Sequence, residues 1–307
     1  MSLLMHSIRR WLDRLGFLGL SGGVLTFGFF QGFVALSLRI EVAFGVLAIA
    51  LRQATLSSLL FSGFVLLSTA ILLVSLFRDR GGVDPAPGGG TVTAIVPARG
   101  DANVLSVSVR SLLASTYADV EVVIVTEDDD PETGRRAAEL AEIDGVRHLV
   151  NTRYPRSKAG AINYAAEVTE SPYLAVFDAD EAVHPSFVAG AVARLADTDV
   201  VQGRTVPQPT GAVEAIAYYE SLLLSYAARR FLYLVTGFRM AASRAVVMRR
   251  EAFETVGGYD PGMLTEDFDF AYRCYRERLD VTEYLAAPSR IDAAHTIRDW
   301  WGQRKRW

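Results

Sequence analysis

The sequence has very little cysteine and lysine, and each shortage excludes a kind of site or protein. Cys274 is the one cysteine in 307 residues, so the chain contains no internal disulfide and no thiolate metal cluster. Lysine occurs only at Lys158 and Lys305, and the rest of the 31 basic residues are arginines. With 35 acidic residues the formal net charge is −4, which argues against nucleic-acid binding, because that depends on Lys and Arg neutralising phosphates.

The first 90 residues are poor in charge and rich in long apolar runs. They hold four acids and seven arginines, and Leu15–Leu38 and Ala54–Phe77 each run for 24 residues without a charge. Each run exceeds the roughly 20 residues that a helix needs to cross a bilayer, so both are predicted membrane spans rather than buried core helices. In residues 2–14, apolar side chains recur at near-helical spacing with arginines off that stripe, which predicts an amphipathic helix in the headgroup region.

Arginines flank the two predicted spans and indicate their orientation. They precede the first span and recur at Arg78 and Arg80 after the second, and positive residues favour the cytoplasmic side. Residues 78–90 read RDRGGVDPAPGGG, a Gly- and Pro-rich composition typical of a linker. The sequence therefore predicts a membrane region over 1–90 and a cytoplasmic domain over 91–307, in a multi-pass protein of the cell membrane that contacts membrane lipids.

From residue 91 onward, short runs rich in Val and Ile alternate with helical patterns. The runs TVTAIVP, VEVVIVT, VRHLVN and YLAVFDAD are predicted strands, and segments with helical spacing lie between them. Apolar strands that alternate with amphipathic helices are typical of a parallel α/β sheet covered on both faces. Because ligands bind beyond the carboxyl ends of such strands, the polar residues that follow each strand form the candidate site.

One acidic pair follows the fourth predicted strand, in the stretch VFDADEAV. Asp178 and Asp180 are two residues apart, so in an extended segment their carboxylates point the same way. Two carboxylates on one face repel each other unless a cation lies between them, and hard oxygen ligands suit Mg²⁺ or Mn²⁺. The alternative is a solvated acidic turn, since Asp-x-Asp alone is common.

A second acidic cluster lies in MLTEDFDFAYRCYRERL, which is predicted to be a helix with Thr265 as its N-cap. Glu266, Asp267 and Asp269 then fall in the first turn, where acidic side chains favour the helix dipole. A carboxylate in that turn is equally a candidate general base.

Taken in order along the chain, these segments resemble a known family. VPARGD, TEDDDPET, SKAGAIN, FDAD, VVQGR, RREAFETVGGYD, LTEDFDFAYR and QRKRW occur in the order and at about the spacing seen in family 2 glycosyltransferases. The resemblance covers Val92 to Trp307 and is greatest for the membrane-bound cellulose-synthase and hyaluronan-synthase type. It implies a GT-A-like α/β domain, with a Rossmann-like, mixed and mostly parallel sheet, preceded by transmembrane helices.

The resemblance also implies roles for individual residues. It implies that Asp267 and Glu266 are catalytic and that Asp178 and Asp180 bind the metal. It implies that Trp307 and Thr265 contact the acceptor. Those it implies for donor binding are Pro97, Arg99, Asp101, Glu127, Asp128, Lys158, Asp178, Gln303 and Arg306.

Several features depart from the family pattern. Glu127 stands where the family usually has an aspartate that reads the base or ribose, which leaves the base preference open. The stretch DAAHT lacks the proline that many members carry there, and His295 within it is either a metal or acceptor contact or a surface residue. Larger synthases continue past the Gln-x-x-Arg-Trp motif, so we expect either further membrane segments beyond Trp307 or partner subunits.

The residues and the resemblance together predict a metal-dependent, inverting hexosyltransferase. Its donor is predicted to be a nucleotide-diphosphate sugar, of the UDP type, and its acceptor a polysaccharide or a glycolipid at the membrane. The alternatives are transfer of a single sugar to a lipid carrier, a non-catalytic membrane scaffold with the same fold, and a nucleotidyltransferase. The helical stretch over 211–235 is either a core helix or a helix that rests on the bilayer.

Overall fold

The computed structural model describes residues 54–67 and 88–304 together with positions 15, 19, 22, 23, 26, 27, 30, 70, 74 and 86. The chain divides into two compact units. The first is Met1–Gly81 with Leu222–Phe231, and the second is Gly82–Ser221 with Leu232–Trp307.

The predicted membrane region falls mainly outside the described residues. The amphipathic helix at 2–14, most of the span at 15–38, the later part of the span at 54–77 and most of the linker at 78–90 lie there, and they stay predictions. Within the first unit, 54–67 is helical. No helix in the described part of the chain combines the length and the apolar character that crossing a bilayer requires.

A seven-stranded sheet forms the centre of the second unit. Its strands are β1 Val92–Ala98, β2 Val120–Thr126, β3 Val146–Val150, β4 Tyr173–Val176, β5 Val200–Pro207, β6 Val246–Arg249 and β7 Val281–Ile291. The strand order is β3-β2-β1-β4-β6-β5-β7, and β6 runs antiparallel to both of its neighbours while the other neighbouring pairs are parallel. The mixed and mostly parallel sheet expected from the sequence is therefore confirmed.

Helices connect the strands. They are α1 Leu105–Leu113, α2 Pro131–Leu140, α3 Lys158–Glu167, α4 Phe187–Arg194, α5 Ala212–Leu223, α6 Arg229–Thr236, α7 Arg250–Val256, α8 Glu266–Arg276 and α9 Ile297–Arg304. Between α5 and α6, Leu224–Ala228 form a π-helical turn.

The central strands are apolar throughout because both faces of the sheet are buried. Successive strand residues point to opposite faces, so Val96 enters one core and Ile95 the other. The first core also holds Phe187 of α4, and the second holds Phe253 of α7 and Phe270 of α8. This two-sided burial explains why strand patterns without polar alternation were a reliable sign of the fold.

The reversed direction of β6 decides which segments meet at the functional edge of the sheet. Val176, at the carboxyl end of β4, pairs with Val246, at the start of β6. The residues just before β6 therefore arrive beside the residues just after β4. In addition, Asn163 of α3 accepts a hydrogen bond from the backbone N–H of Tyr259 and donates one to its carbonyl, at 2.9 and 2.7 Å, which fixes the segment that leads into α8.

Candidate active site

The loops that follow β1 and β2 are hydrogen-bonded to each other at the carboxyl end of the sheet. The backbone N–H of Arg99 donates to Asp101 at 2.9 Å, and the Arg99 guanidinium donates to Asp129 at 2.9 Å. The N–H of Gly100 donates to Asp130 at 2.6 Å, and the Asp130 carboxylate also caps α2. Sequence reasoning selected Arg99 and Asp101 but missed Asp129 and Asp130, although the acidic run that contains them was visible.

Glu127 organises the next loop from a buried position. Its carboxylate accepts hydrogen bonds from the Asn151 amide at 2.8 Å and from the backbone N–H of Arg156 at 2.7 Å. Arg156 has a positive φ of 62° and its side chain donates to Asp129 at 3.0 Å. Asp128 is exposed beside them. The predicted role of Glu127 and Asp128 in donor binding stays a prediction, but the structure gives Glu127 a clear task in holding the loop that precedes α3.

Lys158 and Asp178, which are both predicted to bind the donor, contact each other. Lys158 is the first residue of α3, whose N-cap Ser157 accepts a hydrogen bond from the Gly160 N–H at 3.1 Å. The Lys158 ammonium lies 2.5 Å from one oxygen of Asp178, and the Arg244 guanidinium lies 3.9 Å from the other. Sequence reasoning missed Arg244, because only the antiparallel direction of β6 brings it here.

The acidic side chains at this edge repel one another. Burial, followed by the charge of Asp178, raises the pKa of Asp180 above its usual range. Burial is also the main cause that raises the pKa of Asp101, with further contributions from the charges of Asp178 and Asp130. Such carboxylates favour a cation between them, and their hard oxygens suit Mg²⁺ or Mn²⁺.

Among residues that the structure describes, no group of three or more His, Cys, Asp or Glu side chains is placed to hold a metal ion. The predicted ligands Asp178 and Asp180 therefore supply two carboxylates at most. This fits a cation that completes its coordination with water and substrate phosphates, which is how Mg²⁺ is usually bound. We call residues 99–101, 127–130 and 178–181 the carboxylate edge.

Glu181 is a further member of this edge that sequence reasoning missed. Its side chain is fully buried, and burial together with the charge of Asp178 raises its pKa to about 8, so it is mainly a neutral acid at pH 7. It accepts a hydrogen bond from the backbone N–H of Asp178 at 3.2 Å. Glu181 thus supports the backbone of the residue whose side chain faces Lys158.

The second acidic cluster lies at the start of α8, as predicted. Thr265 is the N-cap residue, as predicted, but its hydroxyl forms no capping hydrogen bond. Asp269 is bound by Arg273 one turn later, at 2.7 Å, and so stabilises the helix. Asp267 accepts a hydrogen bond only from the neighbouring N–H of Phe268, at 2.9 Å, and has no ion pair within the described range. Among the three acidic residues of this turn, Asp267 is therefore the one whose carboxylate has no side-chain partner within the described range.

A short loop, Ala242–Ala245, links the two acidic clusters. The hydroxyl of Ser243 donates to Glu266 at 3.0 Å, and the next residue, Arg244, faces Asp178. Consecutive Cα atoms lie about 3.8 Å apart, so the start of α8 and the end of β4 meet through two adjacent residues. One loop thus contacts both the predicted metal ligand Asp178 and the first turn of the helix that carries the predicted base Asp267.

Residues near the end of the chain contact α5. His295 lies 2.7 Å from Glu214 and 3.4 Å from Asp292, and Trp300 donates to Glu220 at 3.3 Å. His295 is thus a surface residue that is hydrogen-bonded to Glu214 in this structure. The backbone of Gln303 belongs to α9, but its side chain, Arg306 and Trp307 lie outside the described residues, so their predicted roles stay predictions.

One side of α8 exposes a row of aromatic side chains near Asp267. Phe268, Tyr272 and Tyr275, spaced four and three residues apart, are 57%, 57% and 46% exposed. Phe238 stacks on Phe268 with ring centres 6.3 Å apart and meets Tyr275 edge-on at 5.8 Å. We call these four residues the aromatic face. Aromatic patches of this kind mark binding surfaces more often than ordinary solvent-facing helix sides do.

Comparison with known proteins connects this geometry to a family. The family model described as Glycosyltransferase like family 2 matches residues 87–307. The probable glycosyltransferase YdaM of Bacillus subtilis (strain 168) is 21% identical over 226 residues, which cover 70% of this chain and 54% of that protein. The beta-monoglucosyldiacylglycerol synthase of Trichormus variabilis is 23% identical over 223 residues, which cover 70% and 48%. The chain spans about half the length of these curated relatives.

Solved structures share the architecture. The mannosyltransferase PcManGT from Pyrobaculum calidifontis, solved in complex with GDP-Man and Mn²⁺, superposes with a TM-score of 0.57 at 20% identity. The match covers 78% of this chain and 69% of that one. At this identity the likeness concerns the fold, and it confirms the GT-A-like arrangement expected from the sequence.

Proposed function

The chain belongs to glycosyltransferase-like family 2. We propose that it is a glycosyltransferase that transfers a hexose, with inversion, from a nucleotide-diphosphate sugar to a membrane acceptor. The observations that carry this proposal are the contact between Lys158 and Asp178, and the loop Ala242–Ala245, which contacts both Asp178 and the first turn of α8. In that turn the carboxylate of Asp267 has no ion pair within the described range. A scaffold or a nucleotidyltransferase has no need for a free carboxylate at that position.

The donor diphosphate is proposed to bind at the carboxylate edge. Asp178 and Asp180 would hold Mg²⁺ or Mn²⁺, which stabilises the negative charge that develops on the leaving diphosphate. Lys158 adds a positive charge beside it. The complex of PcManGT with GDP-Man and Mn²⁺ supports this kind of donor and cation. Pro97, Arg99, Asp101, Glu127 and Asp128 would border the nucleotide, and Gln303 and Arg306 the diphosphate.

In the transfer step, Asp267 takes the proton from an acceptor hydroxyl. The acceptor oxygen forms a bond to the anomeric carbon from the face opposite the diphosphate. The bond from that carbon to the diphosphate oxygen breaks, and its electron pair leaves with the nucleoside diphosphate. One displacement inverts the anomeric configuration. Glu266, held by Ser243 at 3.0 Å, fixes the first turn of α8 so that Asp267 faces the reacting atoms.

The acceptor is proposed to carry a lipid. Three of the four residues of the aromatic face lie on the same helix as Asp267, and one curated relative is named a beta-monoglucosyldiacylglycerol synthase. Thr265 and Trp307 would border the acceptor hydroxyl. A polysaccharide acceptor is the second candidate, and the sequence resemblance to polymer synthases favours it.

A membrane location is proposed on separate grounds. Within the helical stretch at 54–67, the exposed large side chains are Leu56, Leu60, Phe61, Phe64, Leu66 and Leu67. At 100° per residue these positions span roughly 220° of the helix circumference, and a helix that is apolar over most of its surface needs an apolar environment. We therefore propose that the first unit anchors the catalytic unit at the cytoplasmic side of the cell membrane, alone or with partner subunits.

The test is transfer of labelled sugar by the full chain in lipid vesicles. UDP- and GDP-sugars are offered with Mn²⁺ or Mg²⁺, against vesicles containing diacylglycerol or a polyprenyl phosphate, and against soluble oligosaccharides. A single labelled glycolipid is the expected product. A ladder of products would instead support the polysaccharide acceptor. Absence of transfer from every donor would leave the scaffold as the better account.

A further inference from the structure

We propose that Arg244 binds the donor diphosphate. In the enzyme without donor or cation, its guanidinium instead faces the carboxylate of Asp178. The proposal rests on the proposed function and adds a residue to its site. In this account the divalent cation displaces Arg244 from the aspartates, and the guanidinium then contacts the phosphate oxygens.

The backbone that presents Arg244 is firmly fixed. The Gln202 side chain accepts a hydrogen bond from the N–H of Ala242 at 2.5 Å and donates to the carbonyls of Arg244 and Ala245 at 3.0 and 3.2 Å. The N–H of Gly203 donates to the Ala245 carbonyl at 2.6 Å. Ala245 itself has a positive φ of 45°, which surrounding contacts must hold in place.

The Gly203 position adds to this restraint. A Cβ there would lie 2.7 Å from the Ala245 carbonyl oxygen, so only glycine allows the strand to approach the loop this closely. A loop held by so many hydrogen bonds points its side chains in a defined direction. That direction is toward the carboxylate edge for Arg244 and toward Glu266 for Ser243.

In contrast to its backbone, the Arg244 guanidinium is loosely bound. Its nitrogen lies 3.9 Å from Asp178, which is too long for a hydrogen bond, and 35% of the side chain is exposed. Lys158 already contacts the other Asp178 oxygen at 2.5 Å. Arg244 is therefore a second positive charge on one carboxylate, and among the described residues no hydrogen bond to its side chain holds it there.

Charge explains why ligand binding would move it. A divalent cation on Asp178 and Asp180 repels a guanidinium and neutralises the charge that attracts it. The diphosphate brings new negative oxygens to the same place. Arginine is well suited to binding these phosphate oxygens, because its planar guanidinium donates two parallel hydrogen bonds to a phosphate.

The experiment compares Arg244→Gln with the wild-type chain by calorimetric titration in vesicles or detergent. The ligands are Mn²⁺ alone, then UDP and GDP with Mn²⁺, then UMP and GMP with Mn²⁺. We expect Mn²⁺ alone to bind with unchanged or higher affinity, because a competing positive charge is gone. We expect the preferred nucleoside diphosphate to bind about tenfold more weakly, and the monophosphate to change little.

Two further variants make the result specific. Arg244→Lys keeps the positive charge but loses the planar guanidinium, and should weaken diphosphate binding by about threefold. If the Gln variant does not fold, the Lys variant provides the test. Arg147→Gln removes an exposed ion pair between Arg147 of β3 and Glu121 of β2, and should leave all of these affinities unchanged. Unchanged diphosphate affinity in Arg244→Gln, or an equal loss for Mn²⁺ alone and for both nucleotides, would overturn the proposal. A wild-type chain that binds neither UDP nor GDP would instead refute the proposed function itself.

Discussion

The carboxylate edge and the aromatic face are built in opposite ways. At the edge, Arg99, Asp129 and Arg156 are tied together by ion pairs, and Glu127 is buried with two hydrogen bonds. On the aromatic face, large side chains remain half exposed, and Asp267 beside them is bound only by its neighbour's N–H.

This difference indicates which ligand each region is prepared for. A charged, rigid donor is best bound by groups already in position, since ordering them on binding would cost affinity. An acceptor with an apolar part gains its affinity from covering exposed apolar surface. The following variants test the division, and they are ordered from the largest expected effect to the smallest.

Asp180→Asn should produce the largest loss. It removes a proposed cation ligand, so we expect transfer to fall by about 10²- to 10³-fold at saturating donor. The metal-free chain should be equally or more stable at pH 8, because partial burial and the charge of Asp178 both disfavour the ionised carboxylate of Asp180. Rates and thermal denaturation check both expectations, with Asp144→Asn in an exposed turn as the control. Full activity of the Asn variant would remove Asp180 from the cation site.

Tyr272→Ser should weaken the use of a lipid acceptor without affecting the donor. An aromatic side chain that becomes covered on binding contributes about 1.5 kcal/mol or more, so the acceptor KM should rise about tenfold. The donor KM and slow hydrolysis of the donor should not change. Val107→Ser, at an exposed position on α1, serves as the comparison. An unchanged acceptor KM would mean that the aromatic face does not contact the acceptor.

Asp129→Asn should have a smaller effect, confined to the donor. Its partners Arg99 and Arg156 have side chains that are 51% and 69% exposed, and each such pair contributes only about 0–1 kcal/mol. We therefore expect the donor KM to rise about threefold while kcat is nearly constant. Breaking the exposed Arg136–Glu139 pair with Glu139→Gln should leave both constants alone. An effect on the acceptor KM instead would contradict the division.

His295→Gln should show the smallest effect, visible as pH dependence. The hydrogen bond that His295 donates to Glu214 is the main cause that raises the pKa of His295, so this stabilisation is present below about pH 6.5 and is lost as pH rises through the folded pKa. The same bond lowers the pKa of Glu214, so its contribution is lost as pH falls below about 4.5. The melting temperatures of variant and wild type should differ most near about pH 5.5. A difference that persists above about pH 8 would contradict this assignment.

Much of the fold was predictable because its signals are local. Apolar strands ending at Ala98, Thr126 and Val176 were bounded by turns and helices, and the residues that follow them do converge. The same holds for Asp178 with Lys158. In both cases the parallel βα pattern alone fixes where the strand ends meet.

The rest depends on topology and burial, which the sequence does not display. Arg244 reaches Asp178 because β6 runs antiparallel, and nothing in MAASRAVV states that direction. Glu181 looks like one more acid in an acidic turn, and its neutral form follows from complete burial. Thr265 has a suitable type and position for a cap, but its hydroxyl does not make the bond.

The most direct test of the account is a paired measurement on Asp267→Asn. The same preparation is titrated with nucleoside diphosphate and Mn²⁺ and then assayed for sugar transfer. We expect nucleotide affinity within about twofold of wild type, because the carboxylate edge is untouched, and transfer lower by about 10²- to 10⁴-fold, because the proton acceptor is gone. Asp269→Asn, which breaks the pair with Arg273, should instead lower stability and keep transfer. An Asp267→Asn chain that transfers sugar at the wild-type rate would contradict the central claim.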